Sequence, residues 1–242
     1  MNKPVIGLVS KHKDISKKRT LTYVCDEMKD AIFYNGGVAI GIIPSMKNII
    51  LVNQDNEAEI YKNLDKLFSL EEKEDLISQI NMCDGIILSG GTESDAYEMF
   101  VAKYCYDNDI PIIGICAGHN NIVRGIGGRT KPVDNIEIHH SKEDYVHYVS
   151  IDKHSKFYSY VNNDKFMVNS RHKNTIADLG CLTAVGFDEQ GNIEVTEDRN
   201  KKCYLGIRFH PESLYLVDEN HNNIFKKFIE VCEAVKESKY GK

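Results

Sequence analysis

The sequence predicts an α/β fold: a central, mostly parallel sheet flanked by helices, with antiparallel strands in the C-terminal half. Three observations carry this. Near-continuous apolar runs at residues 5–9, 38–43, 85–88 and 112–115 are of the kind buried on both faces of a parallel sheet. The segments between them, including 21–34 and 57–80, place apolar residues at helical spacing. From Tyr145 onward the rhythm changes to short strands separated by turn residues.

Taken in chain order, residues 5–9 form the first strand and the basic run 11–19 reads as a solvated loop at the carboxyl edge of the sheet. A helix over 21–34 leads into the strand at 38–43, and a long helix over 57–80 carries Glu71-Glu72-Lys73-Glu74 on a solvated face. The strand at 85–88 ends in Ser89-Gly90-Gly91-Thr92, and a helix follows almost at once. The strand at 112–115 breaks at Gly-Ile-Cys-Ala-Gly, residues 114–118, and enters a helix that Gly125, Gly127 and Gly128 stop. Strands then follow at 145–151, 165–169, 183–188, 193–197 and 204–209, with Glu189-Gln190-Gly191-Asn192 as a hairpin turn, before a closing amphipathic helix over 222–236. Residues 1–242 fit one domain, and neither internal repeats nor low-complexity linkers interrupt them.

Composition narrows the function. A net charge of -6 without a basic stripe argues against nucleic acid as a partner. No run approaches a membrane span, and Met1-Asn2-Lys3-Pro4 passes straight into a strand, so a cytoplasmic location is expected. Seven cysteines without regular spacing argue against both a disulfide framework and a cysteine metal site. Cys25, Cys83, Cys105, Cys181, Cys203 and Cys232 are therefore expected to be packing residues.

Cys116 stands apart. A strand-to-helix turn of the form Gly-x-Cys-x-Gly resembles a nucleophile elbow, where a strained residue points its side chain out at the carboxyl end of a sheet. The unpaired N–H groups and positive dipole of the following helix favour a thiolate and a developing oxyanion. The strand-like run at 204–209 ends at His210, and Pro211 stops the ladder. Glu212, two residues on, is placed to orient the imidazole, so Cys116, His210 and Glu212 form a candidate triad. Gly90 and Gly91 allow backbone N–H groups to approach a ligand and suit an oxyanion hole, although alone they read as a tight turn. His12, His119, His139, His140, His147, His154 and His221 show no signal for catalysis.

Together these segments resemble the class I glutamine amidotransferase-like family, and within it the γ-glutamyl hydrolase branch of C26 peptidases, which includes γ-glutamyl-γ-aminobutyrate hydrolase. The resemblance runs from Pro4-Val5-Ile6-Gly7-Leu8 through Leu88-Ser89-Gly90-Gly91 and Pro111 to Gly118, and ends in Phe209-His210-Pro211-Glu212-Ser213. It implies a flavodoxin-like α/β fold and a cysteine-dependent hydrolase that cleaves γ-glutamyl amides through a thioester and releases glutamate. Cys116 is then the nucleophile, His210 the base and Glu212 its orienter. The backbone at Gly90, Gly91 and Ala117 forms the oxyanion hole. Asn120, Asn169, Ser170 and His172 fall at substrate-binding positions, and neither a metal nor an organic cofactor is expected. The partner implied is a small γ-glutamyl molecule, and a homodimer is compatible with the sequence.

Three features differ from that branch. Asn120 stands where the family carries glutamine, the Gly91 to Pro111 segment is short, and Arg171-His172-Lys173-Asn174 has one histidine where the branch carries two. The short segment resembles true amidotransferases, which makes a glutaminase subunit feeding ammonia to a separate synthetase the rival expectation. A noncatalytic binding protein on the same fold is the third, and the intact triad weighs against it.

Overall fold

The computed structural model describes residues 3–16 and 19–240. In chain order the elements are β1 (Val5–Val9), β2 (Lys11–Ser16), β3 (Arg19–Tyr23), α1 (Asp26–Tyr34), β4 (Val38–Ile42), α2 (Glu57–Asn63), α3 (Leu70–Asn81), β5 (Gly85–Leu88), α4 (Ala96–Asp107), β6 (Ile112–Ile115), α5 (Ala117–Arg124) and β7 (Arg129–Pro132). There follow α6 (Ile136–His139), β8 (His147–Ile151), α7 (Lys156–Val161), β9 (Lys165–Val168), β10 (Asn174–Asp178), β11 (Thr183–Asp188), β12 (Ile193–Glu197), β13 (Tyr204–Ile207) and α8 (Glu219–Tyr240).

The fold class is the one expected. A nine-stranded sheet runs β4-β1-β5-β6-β13-β12-β11-β8-β9. Strands β4, β1, β5, β6 and β13 are mutually parallel, and β12, β11, β8 and β9 extend the β13 edge with antiparallel pairings. Alternate residues of one strand enter opposite cores, as a sheet covered on both faces requires. Ile87, Ile113 and Ile115 pack with α1, α7 and α8 residues such as Met28, Phe157 and Phe228, whereas Ile86, Leu88 and Ile112 pack with Ile60, Leu76, Met99 and Ile122 of α2 to α5.

Two helix expectations need correction. The helix expected over 21–34 starts only at Asp26, because Arg19–Tyr23 pairs antiparallel with Lys11–Ser16 as a hairpin. The same hairpin corrects the loop expected over the basic run, of which residues 17 and 18 lie outside the described residues. Lys11 in particular is buried, with its ammonium 2.5 Å from the Glu98 carboxylate of α4. The helix expected over 57–80 is broken by a single tight turn at Leu64–Lys66 and restarts at Ser69. The Ser69 side chain accepts from the Glu72 N–H while the Glu72 carboxylate accepts from the Ser69 N–H, so one member of the acidic run is a cap while Glu71 and Glu74 face solvent.

The turn expected between β11 and β12 is present, with Gly191 at φ 83° and the Asp188 carboxylate accepting from the Gln190 and Asn192 N–H groups. The small β7–β10 sheet and the short helices α6 and α7 have no counterpart among the sequence expectations. Among the described residues no helix is long and apolar enough to cross a membrane.

Gly118 shows how tightly β5, β6 and α5 are interlocked. A Cβ there would lie 2.0 Å from the Leu88 carbonyl oxygen at the end of β5, a contact that only a backbone shift relieves. Gly41 on the exposed edge strand β4 has nothing within 4 Å of the same position. Gly118→Ala is therefore expected to cost about 3 kcal/mol and lower the Tm by roughly 6–12 °C. Gly41→Ala should leave the Tm within about 2 °C by calorimetry.

Candidate active site

Three neighbouring parallel strands deliver the site. Leu88 of β5 pairs with Gly114 of β6, and Ile115 of β6 pairs with Ile207 of β13. Their carboxyl ends therefore bring Ser89-Gly90-Gly91, Cys116 and Arg208-Phe209-His210 to one edge. The Cys116 N–H extends the ladder by donating to the Ile207 carbonyl at 2.8 Å. The chain then turns into α5, and Cys116 takes φ 54° and ψ −103°. A non-glycine residue there stores roughly 1–3 kcal/mol of strain, which the flanking buried strand and helix hold in place.

His210 is held from three sides. Its backbone N–H donates to Asn169 Oδ1 at 2.7 Å and its carbonyl accepts from Asn169 Nδ2 at 2.8 Å. Its ring Nδ1 lies 2.6 Å from Glu212 Oε1, and the Pro211–Ser213 turn brings that carboxylate back to the ring. A Cβ at Gly90 would stand 2.8 Å from His210 Cε1 and 3.5 Å from Cys116 Cβ, so only glycine leaves room for imidazole and thiol together. The buried ring Nε2 has no hydrogen-bond partner of good geometry and interacts with the Cys116 sulfur instead.

Burial by itself would raise the Cys116 thiol pKa, but the charge of His210, its hydrogen bond to the sulfur and the charge of Arg208 outweigh burial and hold it below the ordinary value. For His210 burial acts in the opposite sense, and the Glu212 and Cys116 charges overcome it and hold the imidazolium well above the usual histidine range. The arrangement favours a thiolate–imidazolium pair. By contrast, burial followed by the Glu27 hydrogen bond pushes Cys25 up to about 11, and burial pushes Cys83 and Cys203 to about 12.

Two cavities meet at the sulfur. One, of about 480 Å³, is lined by Ala117, Asn120, Arg171, His172 and Arg208 as well as Cys116. The other, of about 810 Å³, lies beneath the β2–β3 hairpin and is lined by Lys11, Tyr23, Tyr97, Glu98 and His210. Gly91 and Cys116 border both. Ala117 is the first residue of α5, so its N–H has no partner within the helix.

Of the expected substrate-binding residues, Asn120 and His172 line the smaller cavity. Asn120 spends its carbonyl on Arg208, accepting from Nη1 at 2.7 Å. Asn169 and Ser170, also expected at substrate-binding positions, are fully buried and line neither cavity. Asn169 clamps the His210 backbone, and Ser170 Oγ lies 3.2 Å from His139 Nδ1. Two cysteines also differ from expectation: Cys181 is exposed and bonded to Tyr106, and Cys25 is only half-buried.

Arg208 is a site residue that the sequence patterns do not single out. It is fully buried, yet Nε and Nη2 have no hydrogen-bond partner, and its charge is met at longer range by the Cys116 thiolate and the Glu194 carboxylate. The available signal is a charged residue inside the apolar run Tyr204-Leu205-Gly206-Ile207-Arg208-Phe209.

The sequence profile of Peptidase C26 matches residues 4–212. The chain belongs to the Peptidase C26 family. Cys116, His210 and Glu212 all lie inside the matched span. A glutamine-hydrolyzing GMP synthase subunit of Methanococcus vannielii is 29% identical over 216 residues, covering 83% of this C26 chain and 95% of the relative. The glutaminase domain of Trypanosoma brucei CTPS with bound acivicin superposes with a TM-score of 0.66 at 14% identity, over 96% of this chain and 94% of that one. A glutamine amidotransferase from Thermotoga maritima superposes with a TM-score of 0.56 at 15% identity, covering 98% of both chains.

The charge arrangement has a direct test in alkylation by iodoacetamide, read peptide by peptide by mass spectrometry. Cys116 should react first, with a midpoint below the 9.0 of an ordinary thiol. His210→Asn removes the largest of the effects that oppose burial and should raise the midpoint relative to the unsubstituted chain.

Proposed function

We propose that this C26 chain is a glutaminase subunit that releases ammonia from glutamine and hands it to a synthetase carried on another chain. The observation that carries the chemistry is the placement of Cys116, His210 and Glu212 on adjacent strand ends beside Gly90, Gly91 and the start of α5. The subunit reading is supported by the correspondence, along almost its whole length, with the Methanococcus vannielii GMP synthase subunit. The abrupt entry into α4, capped by Asp95 four residues after Gly91, supports it too.

In this reading the Cys116 thiolate attacks the side-chain amide carbon of glutamine. The carbonyl oxygen takes the negative charge, and backbone N–H groups around Gly91 and Ala117 stabilise it by about 3 kcal/mol each. The His210 imidazolium donates its proton to the departing nitrogen, the C–N bond breaks, and ammonia leaves a γ-glutamyl thioester on Cys116. Neutral His210 then takes a proton from water, the hydroxide attacks the thioester carbon, and C–S cleavage releases glutamate and restores the thiolate. Glu212 holds the ring and stabilises its charged form. The cations of Arg171 and Arg208 along the smaller cavity suit the α-carboxylate of the substrate.

A second reading, a free-standing hydrolase of γ-glutamyl amines or peptides, is favoured by the larger cavity on the other side of the sulfur. Ammonia needs no such room, whereas an amine leaving group fills it. Incubating the chain with glutamine and with a panel of γ-glutamyl amines, and measuring glutamate release, separates the two. The glutaminase reading expects kcat/KM for glutamine to exceed that for the panel. Should the chain await its partner, an electrophilic glutamine analogue should label Cys116 and glutamine alone should protect it. Fast turnover of the panel, or protection by γ-glutamyl amines in preference to glutamine, contradicts that reading.

The triad assignment has its own ranking. Cys116→Ala should abolish turnover with the fold retained, and His210→Asn should lower kcat by roughly 10⁴-fold. Glu212→Gln should fall between His210→Asn and the unsubstituted chain, because the base survives in a poorer orientation. Activity of Glu212→Gln equal to the unsubstituted chain would reduce the triad to a Cys–His dyad.

A further inference from the structure

Beside Arg208, whose backbone N–H donates to the Glu194 carbonyl at 2.8 Å, four buried side chains from distant parts of the chain converge. They are His139 at the end of α6, His147 at the start of β8, His172 after β9, and Glu194 in β12. One ligand atom from each lies within 4.8 Å of all the others. Both carboxylate oxygens of Glu194, and the Nε2 atoms of His147 and His172, are buried without a hydrogen-bond partner. Unpaired buried polar atoms each cost about 1–3 kcal/mol, and a fold does not gather four of them at one point without a compensating group.

We propose that His147, His172, Glu194 and His139 form a binding site for one zinc-class divalent transition-metal ion. The donor set of three imidazoles and one carboxylate is of the type such ions take. His172 Nδ1 lies 3.0 Å from the Asn174 carbonyl and His147 Nδ1 lies 3.3 Å from the Tyr148 carbonyl. With the proton on Nδ1 bonded to a carbonyl, each ring presents its Nε2 lone pair inward, the arrangement that orients histidine ligands around metals. His172 Nε2 stands 3.4 Å from Glu194 Oε1, close to the roughly 3.4 Å between neighbouring ligands of a tetrahedral ion bonded at about 2.1 Å. His139 is the donor that must adjust. Its Nε2 lies 3.3 Å from both Asp188 Oδ2 and Asn192 Nδ2, and its Nδ1 lies 3.2 Å from Ser170 Oγ, so the contacts of one ring nitrogen give way to the ion and those of the other become its outer support.

Four protein donors, all buried, leave a tetrahedral ion no open position, which makes this a fastening site and not a catalytic one. It ties α6, β8 and β12 to the segment 169–172, whose Asn169 holds the backbone of His210. The ion would act on the triad through that segment and through Arg208, which lies beside Glu194.

The test uses the full chain with its accessible thiols alkylated, so that sulfur cannot compete for the metal. Zinc added to the chelator-treated protein should bind at one equivalent and raise the Tm. His147→Gln and Glu194→Gln should each weaken binding at least roughly tenfold. Because these residues are buried, a second readout needs no substitution: the Nε2 resonances of His147 and His172 should shift on adding one equivalent of zinc. Absence of binding, binding equally tight in both variants, or unshifted Nε2 resonances would overturn the proposal.

Discussion

The end of β6 is the constraint on which the rest depends. Cys116 sits at φ 54° because β6 lies between β5 and β13 and must turn at once into a helix packed against the end of β5. That turn cannot relax, since the strand before it and the helix after it are buried throughout. The same adjacency brings Gly90 and Gly91, just beyond β5, and His210, just beyond β13, to the thiol, with Gly90 packed against both the imidazole and Cys116. The geometry of the candidate site follows from strand order, and the strain at one residue is the local cost of having three strand ends meet.

Charge is handled around this point by pairing some buried ions and leaving others open. Glu57 and Arg124 close on each other at 2.6 Å with Thr130 completing the set, and Lys11 closes on Glu98. These pairs fix α2 to α5 and the hairpin to α4. Arg208 is different, since two of its nitrogens remain without hydrogen-bond partners beside the smaller cavity. A buried cation costs stability unless something anionic meets it, and the Cys116 thiolate and the Glu194 carboxylate both act on this one.

Local signals are legible in the sequence, and long-range ones are not. The parallel strands, the elbow glycines, Cys116, and the His210-Pro211-Glu212 turn are all patterns within a few residues, and each is found where its pattern places it. Lys11 reads as part of a solvated basic run because its partner Glu98 lies 87 positions away. Asn169 resembles a substrate contact because its motif lies near the site, yet its amide is spent on the His210 backbone 41 positions away. His139 and His147 read as scattered histidines, since nothing in their spacing reveals that β8, β12 and α6 converge. The helix expected over 21–34 starts late for a different reason: Asp26–Tyr34 is helical, but Arg19–Tyr23 has a hairpin partner that local spacing does not show.

Whether the Cys116 sulfur carries the acyl group is measured most directly by rapid acid quench of the chain during turnover of glutamine, followed by mass spectrometry of its peptides. The expected result is a glutamyl adduct on the Cys116 peptide that hydroxylamine removes and that Cys116→Ala lacks. Glutamine consumption with the acyl group on another residue, or with undiminished turnover in Cys116→Ala, would contradict the account.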